Sequence, residues 1–414
     1  MRHRSPVQPN LLSKLNERQV LRTLLHQGPA SRADLVRLTG MAPPTVSKAV
    51  DNLLLSGHLE ENEPAAAFGR PAKRLGLAAR HTQVLGLVID AEHCRIVAAG
   101  LDGQIDARHT REFPTPATYA ALIAEASGLA TLLMQRANIT TLGIGISIPG
   151  LVDYRQQQGV LSPNVPMTNG QRPGHDLKTA LEKALGSELT GLECALVQEE
   201  HALCLAERCF GSARGLDDFA MLDVSTGVGL GVVSSGRLLL GRSGLAGEIG
   251  HITVDIRGRR CGCGNLGCLE TVACDSALAW QISQRLGRRV SIEEVLTLHH
   301  NGELGFDLKA ELETLSEYLA VGIAAVINLF NPASLCVHGR LFELDDTLFA
   351  KVVRQTRERA LAPSFADCQI VQARGSKRQG AVAAIVEHLF DALMPPHWAG
   401  TSVPGMAIDE MNPR

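Results

Sequence analysis

One imidazole and three thiols, His251, Cys261, Cys263 and Cys268, fall within a single short stretch of this 414-residue chain. Three sulfurs and one nitrogen can close a tetrahedral zinc site with no open position, which is the structural rather than the catalytic kind. The interleaved Gly262, Gly264 and Gly267 let the backbone curl tightly enough to bring thiolates two and five residues apart onto one ion. The competing reading is a loop of ordinary reduced thiols. Seven other cysteines (Cys94, Cys194, Cys204, Cys209, Cys274, Cys336 and Cys368) are scattered singly, mostly beside apolar residues, as small core residues of a reducing compartment would be. The clustering of the other three favours a structural Zn2+, one per chain.

Two acids flank the cluster. Glu248 precedes the histidine by three positions and Glu270 follows the last cysteine by two, so a metal that pins the loop fixes both carboxylates. Rigid carboxylates suit hydrogen bonding to sugar hydroxyls. The commoner fate of a glutamate is a solvated surface.

The elements that must position these groups follow from length and composition. The chain is long enough for two or three domains, and 45% hydrophobic with 20% charged residues is ordinary for a soluble α/β protein. The apolar stretch Leu319–Phe330 is shorter than a bilayer requires, and Met1–Ser13 is polar, so a cytoplasmic protein without membrane insertion is expected. A net charge of −3 hides an asymmetry: residues 1–80 carry 12 Lys/Arg against 6 Asp/Glu, the remainder 28 against 37. A basic front on an acidic body points the first segment at a polyanion.

After a flexible tail at 1–14, residues 15–80 read as a winged helix-turn-helix. Leu15, Val20, Leu21, Leu24 and Leu25 recur at helical spacing, with Asn16 as the cap and Gly28-Pro29 as the stop. Ser31-Arg32-Ala33-Asp34 has the form of a capping box for a second helix that buries Leu35 and Leu38. The third helix opens on Pro43-Pro44 and carries Val46, Val50, Leu53 and Leu54 inward. Thr45, Ser47 and Lys48 lie off that stripe, where a recognition helix meets base edges and phosphates. Leu59 opens a strand, 61–70 form a loop, and Arg74–Leu77 return; Arg70 in Gly69-Arg70-Pro71 suits a narrow minor groove. A helical bundle for protein contact is the alternative, and pattern, wing and charge together favour double-stranded DNA.

Beyond Val84, strands and helices alternate: Val84–Asp90 with Cys94–Leu101 as a hairpin, helix Tyr119–Ala137, strand Leu142–Ile148, helix Leu177–Leu185, strand Ala195–Val197, and a helix near His201–Phe210. Phe219–Asp223 and Gly229–Ser234 pair around the glycine-rich turn 225–231, which could wrap a phosphate or be only a tight hairpin.

The order Ile148-Pro149-Gly150-Leu151-Val152-Asp153, Pro163-Asn164, Thr226-Gly227-Val228-Gly229, Glu248-Ile249-Gly250-His251 and Cys261-Gly262-Cys263-Gly264-Asn265-Leu266-Gly267-Cys268-Leu269-Glu270 resembles the ROK family of sugar kinases and sugar-responsive repressors. The winged helix ahead of it is similar to the repressor branch. The resemblance implies an α/β, two-lobed actin/hexokinase-like body over 81–394, with a lobe boundary near 195, a last helix returning to the first lobe, and a tail at 395–414. It implies that Asn164, Glu248, His251 and Glu270 contact sugar hydroxyls, with His251 also holding zinc. The family's catalytic base falls, counting back from Glu207 and Phe210-Gly211, at Glu199.

Two departures oppose a kinase. Asp90 is followed by Ala91-Glu92-His93 where the kinases have Asp-x-Gly-Gly-Thr, so side chains and charge stand where backbone must approach a triphosphate. Glu199 is also one methylene longer than the usual aspartate. The expectation is therefore a sugar-responsive repressor without catalytic residues, acting as a homodimer or homotetramer on a DNA operator, with a sugar or sugar phosphate as effector. An active kinase bearing a DNA-binding arm, and a sensor of a phosphotransferase protein, are the other readings.

Overall fold

The computed structural model describes residues 9–62, 73–154, 158–162, 165, 168, 176–186, 192–242 and 244–392. Three helices open it: α1 (Pro9–Gln27), α2 (Arg32–Thr39) and α3 (Pro43–Leu55), followed by the antiparallel pair β1 (Leu59–Asn62) and β2 (Arg74–Leu77). The Ser31 capping box forms as the sequence predicts, with both reciprocal bonds to Asp34, and Gly40 closes α2 in the left-handed region. Two expectations fail here. Helix α1 begins at Pro9, so Asn16 is an interior residue and not a cap; a proline at the first position needs no N–H partner and starts the helix earlier. Leu38 is half exposed, while Leu35, with Val36 beside it, fills the α2 side of the small core.

The body contains two sheets of matching design. In the first, β3 (Thr82–Val88), β4 (His93–Ala99), β5 (Ile105–Pro114), β6 (Thr140–Ile148) and β9 (Glu193–Gln198) lie in the order β5-β4-β3-β6-β9, with α4 (Tyr119–Met134), the small β7 (Leu151–Asp153) and β8 (Gln158–Leu161) pair, and α5 (Leu177–Leu185) between them in sequence. Helix α6 (Glu199–Phe210) leads to the second sheet, β12-β11-β10-β13-β14, built from β10 (Phe219–Asp223), β11 (Gly229–Ser234), β12 (Arg237–Leu238), β13 (Ser334–His338) and β14 (Gln369–Gln372). In both sheets an antiparallel three-strand meander is extended by two parallel strands on the other side of its first strand. The β3–β4 and β10–β11 turns are thus topological equivalents.

Helices α7 (Asp275–Leu286), α8 (Ile292–His300), α9 (Lys309–Phe330), α10 (Leu348–Arg357) and α11 (Ala362–Asp367) belong to the second sheet's half. By length and composition α9 could cross a membrane, being longer than the apolar stretch that marks it in sequence. Leu312, Leu315, Leu319, Ile323, Val326 and Ile327 on it are buried in a protein core instead.

The last helix, α12 (Lys377–Ala392), packs on β3, β6 and α6. It approaches β6 so closely that a side chain at Gly145 would run into the Ala381 carbonyl. Val382, Ile385, Val386 and Phe390 of α12 share one continuous apolar cluster with Val20, Leu21, Leu24 and Leu25 of α1. The amino-terminal module therefore rests on the body through an apolar contact flanked by ion pairs.

Candidate zinc loop and interlobe cleft

Gly247 holds φ of 99° against the Leu230 carbonyl of β11, where no Cβ fits, and this turn delivers Glu248 to the first sheet. Gln198, the last residue of β9, donates from Nε2 to Glu248 Oε1 at 3.4 Å, a contact that spans the two halves of the body. His251 follows on a single 3-10 turn. Its Nε2 lies 3.6 Å from Glu248 Oε2, and its Nδ1 lies 3.7 Å from both Glu270 Oε1 and Cys261 Sγ. One ring nitrogen faces the thiols and the other faces the cleft acid.

The ligand atoms of His251, Cys261, Cys263 and Cys268 all lie within 4.8 Å of one another. Zinc–sulfur bonds of about 2.3 Å in a tetrahedron place sulfurs about 3.8 Å apart. Cys263 Sγ and Cys268 Sγ are separated by 3.7 Å. The Cys263 backbone N–H donates to Cys261 Sγ at 3.4 Å, and Asn265 Nδ2 donates to Cys268 Sγ at 3.3 Å, so both sulfurs have N–H donors aimed at them. Three sulfurs and a nitrogen of this softness and spacing fit zinc. The loop is braced from outside by Arg259, whose guanidinium stacks 4.5 Å from the Trp280 ring centre while its Nε donates to the Thr271 carbonyl at 2.9 Å. Glu270, in the middle of the next 3-10 turn (Leu269–Thr271), accepts from the Cys261 thiol at 2.8 Å. The other seven cysteines are buried thiols, as expected.

A second group of acids lines the cleft beyond Gln198. Glu199 opens α6 and is buried in direct ion pairing with Lys377, the first residue of α12. Lys377 Nζ is also 3.7 Å from Asp90 Oδ2, after β3. Asp223, at the end of β10, is bonded to His338 Nδ1 at 2.8 Å and accepts from the Ser225 hydroxyl at 2.9 Å. Against its burial, His338 and Lys377 hold its pKa below the usual range.

Glu200 differs. Burial, followed by the field of Glu199, pushes its pKa up to about 8, and its Oε2 has no hydrogen-bond partner among the described residues. Both effects favour its neutral form. A carboxyl whose folded pKa exceeds its unfolded value stabilises the fold relatively at low pH, and that contribution is lost as pH rises between the two values. Glu200→Gln is therefore expected to melt like wild type near pH 4.5 and higher than wild type at pH 9, by up to about 5 kcal/mol in stability. Parallel melting curves across that window would refute the assignment.

Of the DNA-contact candidates, Lys48 is exposed and Thr45 and Ser47 are half-buried on the amino-terminal half of α3. Arg32 ties α2 to this helix by donating to the Ser47 carbonyl at 3.1 Å and pairing with Asp51 at 2.7 Å. Arg70 and Asn164 lie outside the described residues.

The ROK family model matches residues 84–387. The chain belongs to the ROK family. Among curated relatives, the DNA-binding transcriptional dual regulator NagC of Escherichia coli is 28% identical over 400 residues, covering 94% of this chain and 96% of its own. The xylose repressor of Bacillus spizizenii is 26% identical, covering 92% and 97%. Among solved structures, a ROK family transcriptional regulator described as a homologue of Escherichia coli Mlc superposes with a TM-score of 0.75 at 28% identity, covering 92% of this chain and 98% of its own. The ROK hexokinase of Thermus thermophilus reaches 0.60 at 26%, covering 74% of this chain and 98% of its own. The ROK fold accounts for the paired sheets, and the transcriptional regulators match over the amino-terminal module as well.

Three groups at the site escape sequence reasoning. Gln198 and Asp223 carry no motif, and Lys377 meets acids 178 and 287 positions away. The one local signal is a lysine in the first turn of a helix, where the macrodipole disfavours a cation.

Proposed function

We propose that this protein is a sugar-responsive transcriptional repressor of carbohydrate uptake or catabolism genes. In this reading the winged helix at 15–80 binds an operator through Thr45, Ser47, Lys48 and Arg70. The cleft binds a sugar through Asn164, Glu199, Glu248, His251 and Glu270, and a structural Zn2+ on His251, Cys261, Cys263 and Cys268 holds the loop. The observation that carries the sugar site is His251 set between Glu248 and Glu270 at 3.6 and 3.7 Å, beside the thiols, so that one rigid loop presents two acceptors and an imidazole to a single ligand. Relatives that are repressors along nearly their whole length support the regulatory part.

The sugar acts by binding one arrangement of the two halves more tightly than the other, which shifts the fit of paired modules in a homodimer or homotetramer to a two-part operator. No catalytic step is assigned to Glu199. The second reading, a sugar kinase with a DNA-binding arm, is favoured by the retained glycine-rich turn and by the hexokinase likeness, and is opposed by Asp90-Ala91-Glu92-His93.

A thermal-shift panel of monosaccharides, amino sugars and their phosphates identifies the effector. Glu248→Ala and Glu270→Ala are each expected to weaken its binding by about 1.5–3 kcal/mol, while operator affinity without sugar stays within a factor of about two. Wild-type sugar affinity in both variants, or ATP turnover abolished by Glu199→Gln, overturns the reading.

A further inference from the structure

The two halves of the body present equivalent turns to the cleft, each with an aspartate: Asp90 after β3 and Asp223 ending β10. Glu199, at the junction of β9 and α6, brings a third carboxylate to the same place. Transfer of a phosphoryl group requires that such acids hold a divalent ion against the nucleotide. In this chain a side chain already fills the position. The Lys377 ammonium is directly paired with Glu199 Oε1 and lies 3.7 Å from Asp90 Oδ2, and Asp223 adds to its field.

We propose that Lys377 is a built-in cation that occupies the metal–nucleotide end of the cleft, so that the cleft accepts a sugar and excludes a divalent ion with its triphosphate. The inference goes beyond the regulator reading and rests on it for the sugar end of the cleft, with which it shares Glu199 at the boundary.

Electrostatics and geometry agree. A magnesium ion within about 2.1 Å of Asp90 and Glu199 oxygens would sit against the ammonium, which repels it at that range without intervening water. Burial alone would lower the Lys377 pKa; Glu199, Asp223 and Asp90 together raise it well above the ordinary lysine value, so the charge persists at any physiological pH. Placing a lysine in the first turn of α12 opposes the helix dipole, a cost that the carboxylates offset. The helix start is held against the body at close range, with Ala381 seated on Gly145 of β6 and Gly380 against Ala202 of α6. Departures at Asp90-Ala91-Glu92-His93 and at Lys377 thus remove the nucleotide from both sides of the same space.

The test uses Mn2+ as probe on the full zinc-loaded chain, read by the electron paramagnetic resonance of free Mn2+ and by melting temperature, with and without a non-hydrolysable ATP analogue. Wild type and Lys377→Arg are expected to take up no Mn2+ at the acid cluster. Lys377→Met, which leaves three carboxylates facing one another, is expected to bind Mn2+ about tenfold or more tighter than wild type, and adding Glu199→Gln should cancel the gain. A Lys377→Met protein that folds only with Mn2+ gives the same answer. A folded Lys377→Met without any gain, or Mn2+-nucleotide uptake by wild type, overturns the proposal. If Lys377→Met folds under neither condition, the wild-type measurement alone decides. Sugar-dependent release from the operator, scored in the same wild-type samples, separates the two claims: its absence refutes the regulator reading and leaves the Mn2+ comparison standing.

Discussion

Cys263→Ser is expected to strip the zinc from the protein and, with it, the sugar response. Metal analysis should fall from about one zinc per chain to near none. The reason is the geometry of the loop: Cys263 is exposed, its sulfur 3.7 Å from the Cys268 sulfur and hydrogen-bonded to the Asn265 backbone, and its own N–H donates to Cys261 Sγ, contacts confined to the loop itself that a shared ion would tie together. Zinc bound by four such ligands contributes on the order of 10 kcal/mol in small zinc peptides, and a hydroxyl in place of one thiolate forfeits much of that. What the loop then loses is position. Gly267 sits in the left-handed region against the Asp255 carbonyl, and Glu270 follows two residues after Cys268, so an unpinned loop lets Glu248, His251 and Glu270 separate. The module and the first sheet do not depend on the loop, and operator binding without sugar should persist. Chelation of the wild type should reproduce the variant, more readily at low pH, where thiols keep their protons. A wild-type protein that carries no zinc ends the assignment.

How much of this was legible before the structure depended on distance along the chain. The metal ligands and both flanking acids lie in one stretch, and the structure brings them together as the spacing implies. Local devices were equally readable: the Ser31–Asp34 box, the proline start of α3 and the full span of α5 all follow from nearest-neighbour chemistry. Failures came where tertiary packing chose between local options. Asn16 is a competent cap, yet α1 extends past it to Pro9; Leu38 has the right spacing, yet it stays half exposed. The α7, α8, α10 and α11 helices and strands β13 and β14 went unread, since buried parallel strands and short helices give no clean alternation. Lys377 was invisible for a different reason. Its meaning lies wholly in Glu199 and Asp90, and the topology that unites them is a property of the folded sheets.

The second large effect is expected at the other end of the same helix. Glu387 of α12 is buried between two guanidinium groups, 2.8 Å from Arg22 of α1 and 3.7 Å from Arg208 of α6. Asp391, one turn on, pairs with Arg18 at 2.6 Å and with Arg22 at 3.2 Å, and Arg214 donates to the Leu25 carbonyl at 2.6 Å. The module is thus clamped to the helix whose first residue reaches the cleft. Glu387→Ala leaves two arginines with a buried partner missing, which costs on the order of 3 kcal/mol. The pH dependence has a definite sign. Despite burial, Arg22 and Arg208 hold the Glu387 pKa below its unfolded value, so its contribution is present above about pH 4.5 and is lost as pH falls through the lower, folded value. Wild type should therefore lose stability in acid more steeply than Glu387→Gln, which has no charge to titrate. The functional consequence separates a clamp from mere packing. If α12 carries the state of the cleft to the module, Glu387→Gln should bind sugar with wild-type affinity and still bind the operator, but sugar should release it less completely, because the coupling free energy and not either affinity has been reduced. Full release at wild-type sugar concentrations by a destabilised Glu387→Gln protein would show that the ion pairs only hold the module down, and that the message travels by another route.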